Sequence, residues 1–171
     1  MAKRNTAIND LAEIDSLERV WDEMRKKTKS NKKNIPVSGD ISVSYFEQFR
    51  SFYIKKISSE IRSGKFSFSH LRPYFIEKES GGTRVICVPT LRDRLVQRAT
   101  LRLLTERGYS FSSPGSYGFV EGRSVPEACK KSAELRAEKP WVLKTDISNF
   151  FDNIPRDELS ADSKAKCNFM N

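Results

Sequence analysis

The sequence predicts an α+β fold. Two apolar patterns of helical period occupy the first 63 residues, and a pair of short β-prone runs separated by glycines follows at 72–89. Helix-start signals then recur at Thr90 and Ser124. The resulting order is helix, helix, hairpin, helix, loop, helix, strand. It lacks the βαβα alternation of a doubly wound sheet, and neither GxGxxG nor GxxxxGK[ST] occurs.

The first helix is predicted over 8–27, where Ile8, Leu11, Ile14, Leu17, Val20, Trp21 and Met24 share one face. Arg25, Lys26, Lys27, Lys29, Lys32 and Lys33 follow without apolar periodicity and read as a basic linker. The second helix is predicted over about 44–63. Ser44 and Glu47 have the spacing of a capping box, and Tyr45, Phe46, Phe49, Phe52, Tyr53, Ile57 and Ile61 give its apolar face. Gly64 suits its C-terminal cap.

RPYFIEK and TRVICVP are joined by Glu79-Ser80-Gly81-Gly82, which reads as a β-hairpin with glycines at the turn. Thr90 then caps a helix over 91–107, with Asp93 at the third position and Gly108 beyond its end. The Gly- and Ser-rich stretch 109–123 is a loop. Ser124, Pro126 and Glu127 open a helix that runs to about Ala137. Trp141–Ile147 is predicted to be a strand with Asp146 near its C-terminal end. Pro155 starts a short helix to about Leu159, and the last twelve residues have no periodicity.

The 171 residues allow one ordinary domain or a portion of something larger. No run approaches the roughly 18 to 20 apolar residues of a membrane helix. The polar N-terminus has no hydrophobic signal region. Cys87, Cys129 and Cys167 match no metal-ligand spacing and suit reduced thiols, so a cytoplasmic location is expected. His70 is the sole histidine, which excludes an ordinary zinc site.

The formal net charge is +9, and residues 41–171 carry twenty-two basic and fifteen acidic side chains, a net of +7. Arg94, Arg98 and Arg102 are four apart and form one cationic stripe on a helix, suited to a phosphate backbone or to a solvated face. Three segments carry chemistry. In the hairpin, Lys78 and Arg84 can present two cations to a polyphosphate. In Tyr117–Ser124, a Gly-rich loop enters a helix whose N-terminus favours an anion, and Arg123 adds a charge. In Lys144–Pro155, Asp146 lies where a strand end gives way to exposed backbone, a place suited to the oxygen chemistry of Mg²⁺.

These segments, in this order, resemble bacterial reverse transcriptases, in particular the group II intron-like and the retron or phage-defence branches. GGTRVICVPTLRDRLVQRATLRLL is similar to the fingers motif of that family. SYGFVEGRSVPEA is similar to its "GFRPGRS…A" motif, and VLKTDISNFFDNIP to polymerase motif A. The segment SVSYFEQFRSFYIKKISSEIRSGKF is similar to the helix that precedes the fingers, so the resemblance covers about 40–159.

The resemblance implies the fingers and the beginning of the palm of a right-hand polymerase. It divides the chain into an N-terminal helix and basic linker (1–40), a fingers-like region (41–139), the start of the palm with motif A (140–159) and an irregular tail (160–171). It further implies an RNA-directed DNA polymerase that transfers dNTPs onto a DNA or RNA primer on an RNA template. Asp146 becomes a catalytic metal ligand, with the Ile147 backbone carbonyl beside it. Two Mg²⁺ ions serve the intact family enzyme, activating the primer 3′-hydroxyl for attack on the α-phosphate with release of pyrophosphate.

Lys78 and Arg84 hold the incoming triphosphate. Phe151 stands where the family keeps an aromatic gate against the ribose 2′-hydroxyl, a core position being the alternative; an aromatic there favours dNTPs over rNTPs. Arg94, Arg98 and Arg102 either face template or hold the fingers together, and Arg123 contacts nucleic acid.

The family pattern continues into a YADD hairpin, and no [FY]-x-D-D occurs among the 171 residues. The expectation is therefore the front part of a larger polymerase, inactive as this chain alone or active where a second chain supplies the rest of the palm. The tail reads as a frameshifted end, a natural truncation or an engineered boundary. A non-catalytic RNA-binding module and a gene remnant are the alternatives.

Overall fold

The computed structural model describes residues 6–37, 40–79, 81–109, 112–148, 150 and 153–161. In chain order the elements are α1 (Thr6–Leu11), α2 (Ile14–Lys27), a 3₁₀ turn (Ser30–Lys32), α3 (Val43–Gln48), α4 (Arg50–Arg62), β1 (Arg72–Glu77), β2 (Thr83–Val88), α5 (Leu91–Glu106) and α6 (Val125–Glu138). Residues 156–161 are also helical. The chain divides into two compact units, residues 1–109 and 110–171.

The core of the first unit is where α2 meets α4 and α5. Trp21 and Phe46, both fully buried, stack with ring centroids 4.0 Å apart, and Tyr53 stacks on the other side of Phe46 at 4.9 Å. The Trp21 indole N–H donates to Glu47 Oε2 at 2.5 Å, so the buried ring keeps its one polar atom paired. Leu17, Val20, Ile54, Ile57, Leu91, Leu95 and Val96 complete the cluster. Arg50 forks onto both carboxylate oxygens of Asp22, at 3.0 and 3.2 Å, and ties α4 to α2. Its guanidinium holds the Asp22 carboxyl below the usual carboxylate range.

Two of the expected helices are each interrupted once. The first breaks at Ala12–Glu13. There the buried Ala12 carbonyl is released from helical bonding and accepts the Ser58 hydroxyl from α4 at 2.5 Å. Apolar residues continue the same face across the gap, so periodicity alone does not reveal it. The second breaks at Phe49, which ends α3 and begins α4.

Its start also differs from the expected capping box. Ser42, not Ser44, is the N-cap, and its hydroxyl accepts the Tyr45 amide at 3.1 Å. Starting two residues earlier places Val43 in the core and frees Glu47 to meet Trp21, Arg25 and Arg50. The Ser44 amide donates to the Lys33 carbonyl at 3.0 Å. The basic stretch is also more ordered than a linker, since α2 runs to Lys27 and a 3₁₀ turn follows.

The local stop and start signals elsewhere hold. Gly64 has φ +68, its amide bonds the Ile61 carbonyl, and the Lys65 amide bonds the Glu60 carbonyl, a Schellman closure of α4. Thr90 caps α5 by accepting the Asp93 amide at 3.3 Å. Ser124 and Glu127 form the full capping box of α6.

The expected strand at Trp141–Ile147 is not formed. A strand needs a ladder partner, and the two strands among the described residues, β1 and β2, pair with each other. No described residue of 112–161 is buried, and Trp141 and Leu143 are almost wholly exposed.

The shifted cap is directly testable by chemical denaturation. Ser42→Ala is expected to destabilise the chain by about 1 kcal/mol, and Ser44→Ala by less than about 0.5 kcal/mol. Trp21→Ala is expected to cost roughly 3–5 kcal/mol through the cavity it leaves.

Candidate functional site

The hairpin begins from a fixed base. Asp93, in the first turn of α5 and 1% exposed, accepts the Ser69 amide at 3.1 Å. Its neighbour Arg92 donates to the Ser67 carbonyl at 2.9 Å and to Glu60 Oε2 at 2.5 Å, and lies 4.2 Å over the Phe66 ring. The segment 66–69 is thereby pinned between α4 and α5 three residues before β1. Sequence reasoning assigned Asp93 to capping alone and gave Arg92 no role. Neither partner is local: Ser69 is 24 positions from Asp93, and Glu60 is 32 from Arg92.

From that base the strands run antiparallel, with Arg72 opposite Val88, Ile76 opposite Arg84 and Glu77 opposite Thr83. The turn closes through the Gly81 amide to the Lys78 carbonyl and the Lys78 amide to the Gly82 carbonyl, each 3.0 Å. Gly81 and Gly82 have φ of +84 and +85, a conformation that L side chains rarely adopt.

Strand alternation then groups the cations. Lys78 is two residues beyond Ile76, which opposes Arg84, so Lys78 and Arg84 share one face. Arg72 falls on the same face, a third cation that the alternation 72, 74, 76, 78 would have revealed. All three are exposed, and none forms an ion pair with a described residue.

The second unit uses its charges differently. Arg123 donates from Nη1 to the carbonyls of Ser113, Pro114 at 2.8 Å and Ser116, and its guanidinium lies 5.3 Å from the Tyr117 ring centroid. It therefore staples its own Gly-rich loop. Gly122 has φ +76, and Phe119 adopts the left-handed region at φ 57, uncommon for a bulky residue, with its ring fully exposed.

The N-terminus of α6, read as an anion site, already holds an internal anion. Glu127 Oε2 accepts the Ser124 amide at 2.7 Å and the Ser124 hydroxyl at 2.8 Å. Those two bonds, the hydroxyl first, and the nearby Arg123 charge keep the Glu127 carboxyl below its ordinary range.

Asp146 is exposed, and its Oδ1 accepts the Ile147 amide at 3.0 Å. Its other carboxylate oxygen and the Ile147 carbonyl are oxygen donors of the kind a hard cation takes. Among the described residues no group of three or more ligating side chains is present, so Asp146 stands as a single carboxylate. Phe151, the expected gate, and Asp152 lie outside the described residues.

The arginine stripe on α5 splits. Arg102 bonds Glu23 at 2.6 Å and Glu106 at 2.7 Å, so it holds α5 to α2. Arg94 and Arg98 form no ion pair with a described residue.

Because the Glu127 carboxyl is depressed, its contribution to α6 is present above the ordinary glutamate range and is lost as pH falls through its folded value. NMR titration is expected to place it below the other exposed glutamates, and Glu127→Gln to remove that acid-dependent fraying. Titration at the ordinary value would show that the capping box does not persist in solution.

A family model described as reverse transcriptase (RNA-dependent DNA polymerase) matches residues 76–170, more than half of the chain. An uncharacterized 91 kDa protein in the cob intron of Schizosaccharomyces pombe is 36% identical over 109 residues, covering 63% of this chain and 13% of that protein. The retron Mx65 reverse transcriptase of Myxococcus xanthus is 34% identical over 85 residues, 50% of this chain and 18% of its own length. The group II intron-encoded protein LtrA of Lactococcus lactis subsp. cremoris is 32% identical over 103 residues, 59% of this chain and 17% of its own. The chain thus spans less than a fifth of each of these three relatives. The matched stretch opens at the end of β1 and takes in the hairpin turn, α5, the Gly-rich loop, α6 and Asp146, and on that match the chain belongs to the reverse transcriptase family.

Proposed function

We propose that this chain forms the fingers region and first palm segment of an RNA-directed DNA polymerase, which adds dNTPs to a DNA or RNA primer on an RNA template with Mg²⁺ as cofactor. The observation that carries the reading is the cationic hairpin face of Lys78 and Arg84, followed by Asp146 within the one stretch that matches the family. Lys78 supplies a mobile point charge and Arg84 a planar fork, the pair that suits a triphosphate. Asp146 and the Ile147 carbonyl hold the metal on its oxygen donors. Bound magnesium supplies charge neutralisation at the phosphates and a more acidic primer hydroxyl.

Phe151 excludes a ribose 2′-hydroxyl by its bulk. The 171 residues contain no [FY]-x-D-D, so in this reading the remaining carboxylates come from a second chain or a further segment. The exposed thiols of Cys87 and Cys129 suit a reducing compartment, for which we propose the cytoplasm.

Titration with a fluorescent dNTP tests the nucleotide role. The Mg²⁺-dependent part of binding is expected to weaken at least about tenfold in Lys78→Gln/Arg84→Gln and to vanish in Asp146→Ala. Unchanged Mg²⁺-dependent binding in the double variant would overturn the assignment. In primer extension on an RNA template, the 171-residue chain alone is expected to give no product. Robust incorporation that disappears in Asp146→Ala would show that no further carboxylates are needed.

A further inference from the structure

On α5, Arg92 pairs with Glu60 and Arg102 pairs with Glu23 and Glu106; Arg107, just past its end, pairs with Asp10. Arg94 and Arg98 are the exception, with no carboxylate among the described residues within ion-pair distance. They sit one turn apart on the same face, where like charges repel. Burial and the adjacent Arg98 charge both lower the pKa of Arg94. The fold thus keeps two guanidinium groups at a cost that no carboxylate of the described residues offsets.

The same two arginines line a cavity of about 350 Å³ together with the end of α2 and the basic stretch that follows it. Lys27, Lys29 and Lys32 line it there, and none of them is in an ion pair with a described residue. Arg25 also lines it, but is engaged by Asp22 and Glu47 at 3.7 Å. Among the described residues no acidic side chain lines the cavity. Its lining is also apolar in part, with Leu91 and Val43 both buried members of the core. This volume lies at the lower end of small-ligand pockets.

Five cations without an ion-pair partner among the described residues, around one small space, match an anion that concentrates several negative charges. A polynucleotide strand spreads single charges along its length instead. Apolar lining beside the cations suits a ligand that carries a ring or sugar next to its phosphates.

We propose that this cavity, formed by Lys27, Lys29, Lys32, Arg94 and Arg98, binds a terminal polyphosphate, carried either by a free nucleoside triphosphate or by the 5′ end of an RNA. The site shares no residue with the hairpin face or with Asp146, and much of it precedes the stretch that matches the family. Its two arginines provide forks and its three lysines mobile charges, a combination suited to phosphate oxygens.

Calorimetric titration of the 171-residue chain with tripolyphosphate, in the absence of divalent metal, tests this. Saturable one-to-one binding is expected. Arg94→Gln/Arg98→Gln should weaken it at least about tenfold, and Lys29→Gln/Lys32→Gln should also weaken it, even if the arginine variant folds poorly. Lys55→Gln/Lys56→Gln, which removes two exposed charges from α4, should change it less than about twofold. Omitting divalent metal separates this binding from the Mg²⁺-dependent binding assigned to Lys78, Arg84 and Asp146.

GTP and an RNA oligonucleotide with a 5′-triphosphate then distinguish the two sources. The proposal is overturned by absence of saturable binding, or by equal losses in the α4 variant. Equally tight and equally sensitive binding of the same RNA with a 5′-hydroxyl would also overturn it.

Discussion

The first unit depends on Trp21. A fully buried indole is costly unless its N–H is satisfied, and here a single carboxylate, Glu47, does so across 26 positions of sequence. That one bond explains several departures from local preference. Glu47 cannot both close a capping box on Ser44 and meet the indole, so the cap moves to Ser42. The move brings Val43 into the core and stacks Phe46 on Trp21. Arg25 and Arg50 then gather around the same carboxylate, so the aromatic stack is ringed by ion pairs on its polar edge. The N-terminal helices are thus built into the same core as α4 and α5.

α5 shows how one helix serves two purposes through the partners given to identical side chains. Arg92 and Arg102 are consumed by the fold: one clamps the approach to the hairpin and the other clamps α2. Arg94 and Arg98 differ in having no acid among the described residues within ion-pair distance. The sequence presents all four as equivalent positive charges. What separates them is the position of Glu60 and Glu23, which lie 32 and 79 residues away.

That difference defines what could be read beforehand. Signals confined to a few residues were legible: Gly64 as a helix stop, Thr90 with Asp93, Gly108, the Ser124–Glu127 box, and the glycines of the hairpin turn. The motif order was legible too, because family patterns keep residue type and spacing together. The breaks at Ala12 and Phe49 were not, since the apolar period runs through both. The strand at Trp141–Ile147 was read from β-propensity, yet a strand exists only with a neighbour to bond. Arg123 reads from the sequence as a charge for an anion or nucleic acid, and its Nη1 is engaged by carbonyls of its own loop. The pinning of the hairpin by Arg92 and Asp93 had no local signature.

The hairpin has a consequence for tolerated change. Neither of its faces is buried, so no core enforces its pairing, and the glycine turn together with the Asp93 anchor must do so. One face carries Arg72, Lys78 and Arg84; the other carries Glu77, Phe75 and Val85. Adding a single residue to the turn would slip one strand by one position against the other and move Arg84 off the face of Arg72 and Lys78, without exposing anything that was hidden. Length variation in this loop should therefore be far rarer in functional descendants of the chain than substitution within it, because insertion divides the cations between the two faces while leaving the fold intact.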